Sequence, residues 1–200
     1  MYYDPRVAGS HGLPHDPITA LVLPRPIGWI STLGPTGAVN LAPYSYFNLV
    51  AGKPPFVMFA SEPAKDSQKN AEATGEFVFN LATWDLREEM NVTGASLARD
   101  QSEAEIAGLE MTASTMVKPP RVARSPVALE CRYVKTVDLV SGAGVRAAST
   151  ITIGEVVGVH VDDSAIVDGV VDVRRLRPIA RLGYFQYGEI GDVFVMVKPP

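Results

Sequence analysis

Hydrophobic positions along the chain gather into short, β-branched runs divided by turn residues. Residues 25–47 (RPIGWISTLGPTGAVNLAPYSYF) read as two strands joined at Gly34, Pro35, Thr36 and Gly37. Proline at the second turn position supplies the fixed φ, and glycine suits the fourth. The apolar body of this hairpin, Ile27, Trp29, Ile30 and Leu41, is interleaved with Ser31, Thr32, Asn40, Tyr44, Ser45 and Tyr46. Two readings fit: a core hairpin whose polar groups face water, or the wall of a pocket for a flat ligand with polar edges. The continuous apolar run 56–61 (FVMFAS) predicts a buried strand, and 76–82 (EFVFNLA) a third.

Helical signals are short and lie between strands. Asp66 or Ser67 is placed to cap a helix that Gly75 ends, and Asp85 and Glu88 have capping-box spacing ahead of Met90. Ser102 and Glu105 form another such box, closed by Gly108. Beyond Pro119 and Pro120, residues 127–140 and 147–161 are rich in Val, Ile and Thr and predict long strands. Gly154 and Gly158 inside the second suggest bulges or bends of a barrel wall. Asp168 and Gly169 mark a turn. The strands do not alternate with helices as in a parallel sheet, so the pattern predicts an antiparallel barrel or sandwich with short helices packed outside. The expected organisation is an irregular lead-in at 1–17, one domain at 18–190 and a tail at 191–200.

Composition narrows the function. The 200 residues hold 18 basic and 22 acidic side chains for a net charge of −4, which gives no electrostatic case for nucleic acid or an anionic membrane. Neither a secretory signal nor a stretch of membrane-span length is visible, so a cytoplasmic protein is expected. The single cysteine, Cys131, sits in an apolar run and reads as a small buried hydrophobe. His11 and His15 are separated by Gly12 and Pro14, which argues against a shared helical face for a metal.

Three motifs bear on chemistry. The string at 142–147 (GAGVRA) matches the loose dinucleotide fingerprint, but it opens a β-branched run rather than a helix and reads as a glycine turn. Ser61, Lys65 and Ser67 would bring an ammonium, hydroxyls and free helix-start amides to one point, as a terminal phosphate requires; a plain surface helix with a solvated lysine is the alternative. His160, near a strand end, is either structural or functional.

In order along the chain, 25–32 (RPIGWIST), 40–47 (NLAPYSYF), 65–70 (KDSQKN), 75–80 (GEFVFN), 118–120 (KPP), 125–131 (SPVALEC), 153–160 (IGEVVGVH) and 178–183 (PIARLG) resemble the flavin reductase-like family of FMN-binding split-barrel flavoproteins. The resemblance implies a mainly β fold, a six-stranded antiparallel Greek-key split barrel with short flanking helices, as a homodimer with flavin near the interface. It implies Ser31 and Thr32 beside the ring and ribityl chain, and Asn40, Ala42, Ser45, Tyr46 and Phe47 along the ring's polar edge. Ser61, Lys65 and Ser67, with Asn70, would hold the phosphate, and His160 and an aromatic such as Tyr184 would close over the flavin. The cofactor would be FMN in preference to FAD, with NAD(P)H as co-substrate, and no metal. The implied activity is an NAD(P)H-dependent flavin reductase, able to serve a monooxygenase or a redox partner protein. The alternatives are a flavoredoxin-like electron carrier and a flavin-binding module without turnover of its own.

Overall fold

The computed structural model describes residues 1–98 and 101–199. Seven antiparallel strands form the main sheet: β1 (Gly28–Leu33), β2 (Val39–Tyr44), β3 (Phe47–Gly52), β4 (Pro55–Ser61), β5 (Glu76–Leu81), β6 (Val127–Val140) and β7 (Arg146–Val161). Their order across the sheet is β2-β1-β5-β6-β7-β4-β3. The two edge strands, β2 and β3, are consecutive in the chain and separated only by Ser45 and Tyr46. The sheet therefore curls until its edges share one corner, while no hydrogen-bonded ladder joins them along their length. This is a barrel split along one side. Its strand count is seven rather than the expected six because 47–52 pairs with β4, from Phe47 opposite Phe59 to Gly52 opposite Pro55.

Alternation along β1 divides the interior from the outer layer. Ile30 faces inward with Tyr44, Phe47, Val57, Phe59, Phe77, Phe79 and Cys131. Phe47 and Phe79 stack with ring centroids 4.5 Å apart, and Phe59 meets Phe77 edge-on at 5.4 Å. Each fully buried phenylalanine contributes about 1.5–3 kcal/mol through removal of its surface from water. Trp29 points the other way, into Leu41, Leu86, Met90 and Val122, and its indole N–H donates to Thr93 Oγ1 at 2.8 Å. The outer layer is built by the chain around Met90, Ala104 and Val122. Cys131 is buried, and burial pushes its thiol far above the usual range.

The turns follow their sequences. Gly37 takes φ 87° and donates to the Gly34 carbonyl at 2.9 Å, closing the β1–β2 hairpin. Residues 141–145 make the β6–β7 turn, with the Ser141 N–H donating to Val145 O at 2.8 Å, so the dinucleotide-like string opens no helix. The β6–β7 register shifts between Ile153 and Gly154 and again between Val156 and Gly158, where bulges were expected. A Cβ at Gly154 would lie 2.4 Å from the Phe77 ring. Asp168 and Gly169, both at positive φ, join the short strands Ile166–Val167 and Val170–Val171.

The helices are α1 (Asp66–Thr74), α2 (Arg87–Val92) and α3 (Glu103–Ile106). α1 ends on Gly75 at φ 77°, as its sequence predicts. The expected side-chain caps are not formed. Lys65 occupies the N-cap of α1 and Ser67 lies inside the helix, where its hydroxyl serves Asn40 instead. A short 3-10 turn, Trp84–Leu86, takes up Asp85, and Ser102 makes no side-chain cap bond to α3. A separate small sheet pairs Arg25–Pro26 with Ile179–Arg181, and that strand with Tyr187–Glu189. Among the described residues no helix is long and apolar enough to cross a membrane, and no group of side chains is arranged to hold a metal ion.

Candidate functional site

The end of the β1–β2 hairpin, the end of β4 and the start of α1 converge on a buried polar cluster. Thr32 and Ser67 are fully buried there, and Asn70 nearly so. Asn40 Nδ2 donates to Ser67 Oγ at 2.8 Å and approaches Thr32 Oγ1 at 3.3 Å, while Asn70 Nδ2 donates to Thr32 Oγ1 at 3.1 Å. Ser61 shapes the approach to the helix. Its hydroxyl donates to Pro63 O at 2.8 Å and accepts the Lys65 N–H at 3.1 Å. Lys65 thereby stands exposed at the N-cap, with no carboxylate partner among the described residues.

Two buried polar atoms in this cluster have no partner, the Tyr44 hydroxyl and Asn70 Oδ1. An unpaired buried group costs about 1–3 kcal/mol, so both atoms have hydrogen-bonding capacity that a ligand or a water would satisfy. Burial pushes the Tyr44 hydroxyl up, with the Ser67 and Ser61 hydroxyls beside it easing the shift, so it stays protonated and able to donate. A cavity of about 370 Å³ opens over Asn40, Ala42, Tyr44, Lys65 and Lys69. A second, of about 230 Å³, is lined by Gly34, Asn40 and Asn70.

Glu103, which the sequence reading does not single out, stands between the two cavities. Its carboxylate accepts the Leu41 N–H of edge strand β2 at 3.0 Å. Burial raises its pKa, against the opposing effect of that hydrogen bond.

Seven of the residues singled out from the sequence meet here: Thr32, Asn40, Ala42, Ser61, Lys65, Ser67 and Asn70. Ser45, Tyr46 and Phe47 form the corner where β2 passes into β3, one step from Tyr44. The Phe47 ring is committed to the barrel interior, so only its backbone can face a ligand. Ser31 parts from its neighbour. Its side chain leaves the opposite face of β1, where it donates to Pro120 O at 2.5 Å and accepts from Asn80, so its hydroxyl does not reach the cluster.

His160 is also elsewhere. Ser61, at the cluster, pairs with Thr150 of β7, and His160 lies ten residues further along that strand, about 30 Å at 3.3 Å per residue. Its Nε2 is hydrogen-bonded to the fully buried Glu130, whose carboxylate also accepts the N–H groups of Thr115 at 2.8 Å, Met116 at 2.5 Å and Val117 at 3.1 Å. Burial raises the Glu130 pKa, but the bonds from His160 and the three amides outweigh it and hold the carboxyl below the usual range. Within one chain His160 thus braces Glu130, and Glu130 fastens the 115–117 segment to the sheet. Tyr184 sits in the hairpin between Ile179–Arg181 and Tyr187–Glu189, against His15 with ring centroids 5.8 Å apart.

The open antiparallel barrel thus carries a polar, cation-bearing cleft at its seam. Residues 20–180 match the flavin reductase like domain, and the chain belongs to the flavin reductase-like family. It is 36% identical over 183 residues to the uncharacterised protein BH2278 of Halalkalibacterium halodurans, spanning 89% of this chain and 87% of that one. The structure is similar to that of nitrilotriacetate monooxygenase component B from Bacillus cereus, with TM-score 0.89, 28% identity and 98% of each chain covered. It is also similar to 2-nitrobenzoate 2-nitroreductase NbaA from Pseudomonas fluorescens, with TM-score 0.76, 32% identity, and 91% of this chain and 88% of that one covered.

Proposed function

We propose that the chain binds FMN across the seam of the barrel and is an NAD(P)H-dependent flavin reductase, working as a homodimer. The observation that carries the reading is the convergence of Lys65, the start of α1 and the unpartnered Tyr44 hydroxyl beside a cavity. The donor set fits a phosphorylated flavin. An ammonium, helix-start amides and a buried phenol suit the phosphate dianion. Asn70 Oδ1 is an acceptor with spare capacity, suited to a ribityl hydroxyl. The backbone from Ala42 to Phe47 supplies uncharged groups for the polar edge of the ring.

FMN, when bound, supplies a hydride acceptor that no side chain offers. Lys65 and Ser67 hold and orient its phosphate, Thr32, Asn40 and Asn70 fix the polar floor, and Tyr44 remains a proton-bearing donor. The similarity to a monooxygenase component B supports delivery of electrons to a separate oxygenase. A second reading, reduction of an aromatic substrate held on the enzyme, is favoured by the similarity to a nitroreductase.

Anaerobic addition of NADH or NADPH to the FMN-loaded protein, followed by the visible flavin absorption, tests the proposal. The expected result is bleaching by at least one nicotinamide and catalytic reduction of excess free FMN. Bleaching of bound FMN with no turnover of free flavin shifts the assignment to the second reading. A protein that takes up no FMN, or that neither nicotinamide bleaches, overturns the reductase assignment.

A further inference from the structure

Two arginines, Arg25 and Arg181, stand opposite each other in the small sheet. Arg25 is directly opposite Arg181 in the pairing of Arg25–Pro26 with Ile179–Arg181, so both side chains leave the same face of the small sheet. Like charges so placed destabilise the pairing unless an anion lies between them. Neither arginine has a carboxylate partner among the described residues. Arg25 is only 9% exposed and its Nε is buried with no hydrogen-bond partner, while its Nη1 donates to the carbonyls of Val22, at 2.7 Å, and Thr19. It is a fixed positive charge, 5.7 Å from the ring of Tyr46.

Arg181 is the accessible member of the pair. It donates through Nη1 to the Tyr187 hydroxyl at 2.5 Å and through Nη2 to the Tyr184 carbonyl, leaving three of its five N–H groups unused. Its guanidinium lies 4.6 Å from the Tyr187 ring and 5.9 Å from that of Phe185, which is 92% exposed. Tyr184 is held at φ 51°, a left-handed conformation costly for a tyrosine, with its carbonyl on Arg181. The arginine is thus pre-aimed, with cation on one side and open aromatic faces on the other.

We propose that Arg181, backed by the charge of Arg25, recognises a phosphate of the nicotinamide dinucleotide, with the exposed ring of Phe185 as a platform for one of its flat bases. The assignment rests on the reductase reading above. A guanidinium fork matches phosphate geometry, and the patch adjoins Tyr46, in the corner assigned to the flavin ring.

The test compares the wild-type protein with Arg181→Gln and Arg181→Lys in two measurements. One is the nicotinamide concentration that half-saturates anaerobic bleaching of the FMN-loaded protein. The other is equilibrium binding of adenosine diphosphate to that holoprotein, which needs no hydride transfer. Arg181→Gln is expected to raise the half-saturating concentration and the dissociation constant of the diphosphate at least about tenfold, with FMN affinity within about twofold of wild type. Arg181→Lys, which keeps the charge and loses the fork, is expected to fall between. A rise for both nicotinamides assigns the bridging diphosphate, and a rise for NADPH alone assigns its 2′-phosphate; either upholds the site. Unchanged half-saturation and unchanged diphosphate binding in both variants overturn it. If neither nicotinamide bleaches the wild-type protein the reductase reading fails, and diphosphate binding alone then decides the site: tight in wild type and weakened in the variants upholds it, absent in wild type overturns it.

Discussion

Lys65→Ala separates the phosphate grip from the rest of the proposed flavin site. Lys65 sits at the N-cap of α1, its backbone fixed by Ser61, and its ammonium is exposed. A hydrogen bond to a charged group contributes about 1.5–3 kcal/mol, and exposure with salt screening moves this one to the lower end. The expected loss is therefore about 1.5 kcal/mol for FMN, roughly tenfold in dissociation constant. Riboflavin shares the ring and ribityl chain but carries no phosphate, so its affinity is expected to stay within about twofold. Titration of apoprotein by quenching of flavin fluorescence, for both ligands and both proteins, gives the four constants. Raising the salt is expected to shrink the FMN difference and leave riboflavin unaffected. Equal losses for the two flavins would refute the placement of the phosphate at Lys65, whatever the total affinity.

Two buried carboxylates predict opposite responses to acid. Glu103 has a raised pKa, so the folded state binds its proton more tightly, and the wild-type protein loses stability relative to Glu103→Gln as pH rises above about 4.3. Glu130 has a lowered pKa, so its contribution is present above about 4.3 and fades as pH falls below it; Glu130→Gln costs about 1–3 kcal/mol near neutrality and less in acid. Urea denaturation of the three proteins across that pH range reads both slopes, and parallel curves would contradict the pair. Gly154→Ala is expected to destabilise by about 1–3 kcal/mol, because the new methyl group meets the Phe77 ring in a closed interior; an unchanged urea midpoint would show that the ring can move aside.

What could be read from the sequence was what local chemistry decides. Pro35 with Gly37, Gly75, and Asp168 with Gly169 each dictate a backbone turn regardless of the rest of the fold. The β-branched runs from 127 to 161 were legible for the same reason. The strand at 47–52 was not, since only its first residue is buried and an exposed edge carries no alternation. Ser31 and Thr32 looked alike as adjacent hydroxyls, yet alternation along a strand sends them to opposite faces. Glu103 and Leu41 are 62 residues apart, and no local pattern announces that one will serve the other's amide. The pairing of His160 with Glu130 depends on the register shift before Gly158, which sets Gly158 opposite Glu130 and His160 opposite Ala128. A bulge of that kind is suggested by a glycine, but its consequence for which side chains meet is settled only by the assembled sheet.

The two residues between β2 and β3 have a thermodynamic consequence. A connection of that length, hydrogen-bonded strand on either side, has almost no alternative conformations remaining once the barrel has formed. A ligand laid along Ser45 and Tyr46 meets backbone that folding has already ordered, so none of its binding free energy is consumed in closing a loop around it. The corner also has no slack in which extra residues could be accommodated. Changes in chain length would be absorbed instead at the surface turn 141–145, which can lengthen without disturbing the surface that the ligand touches.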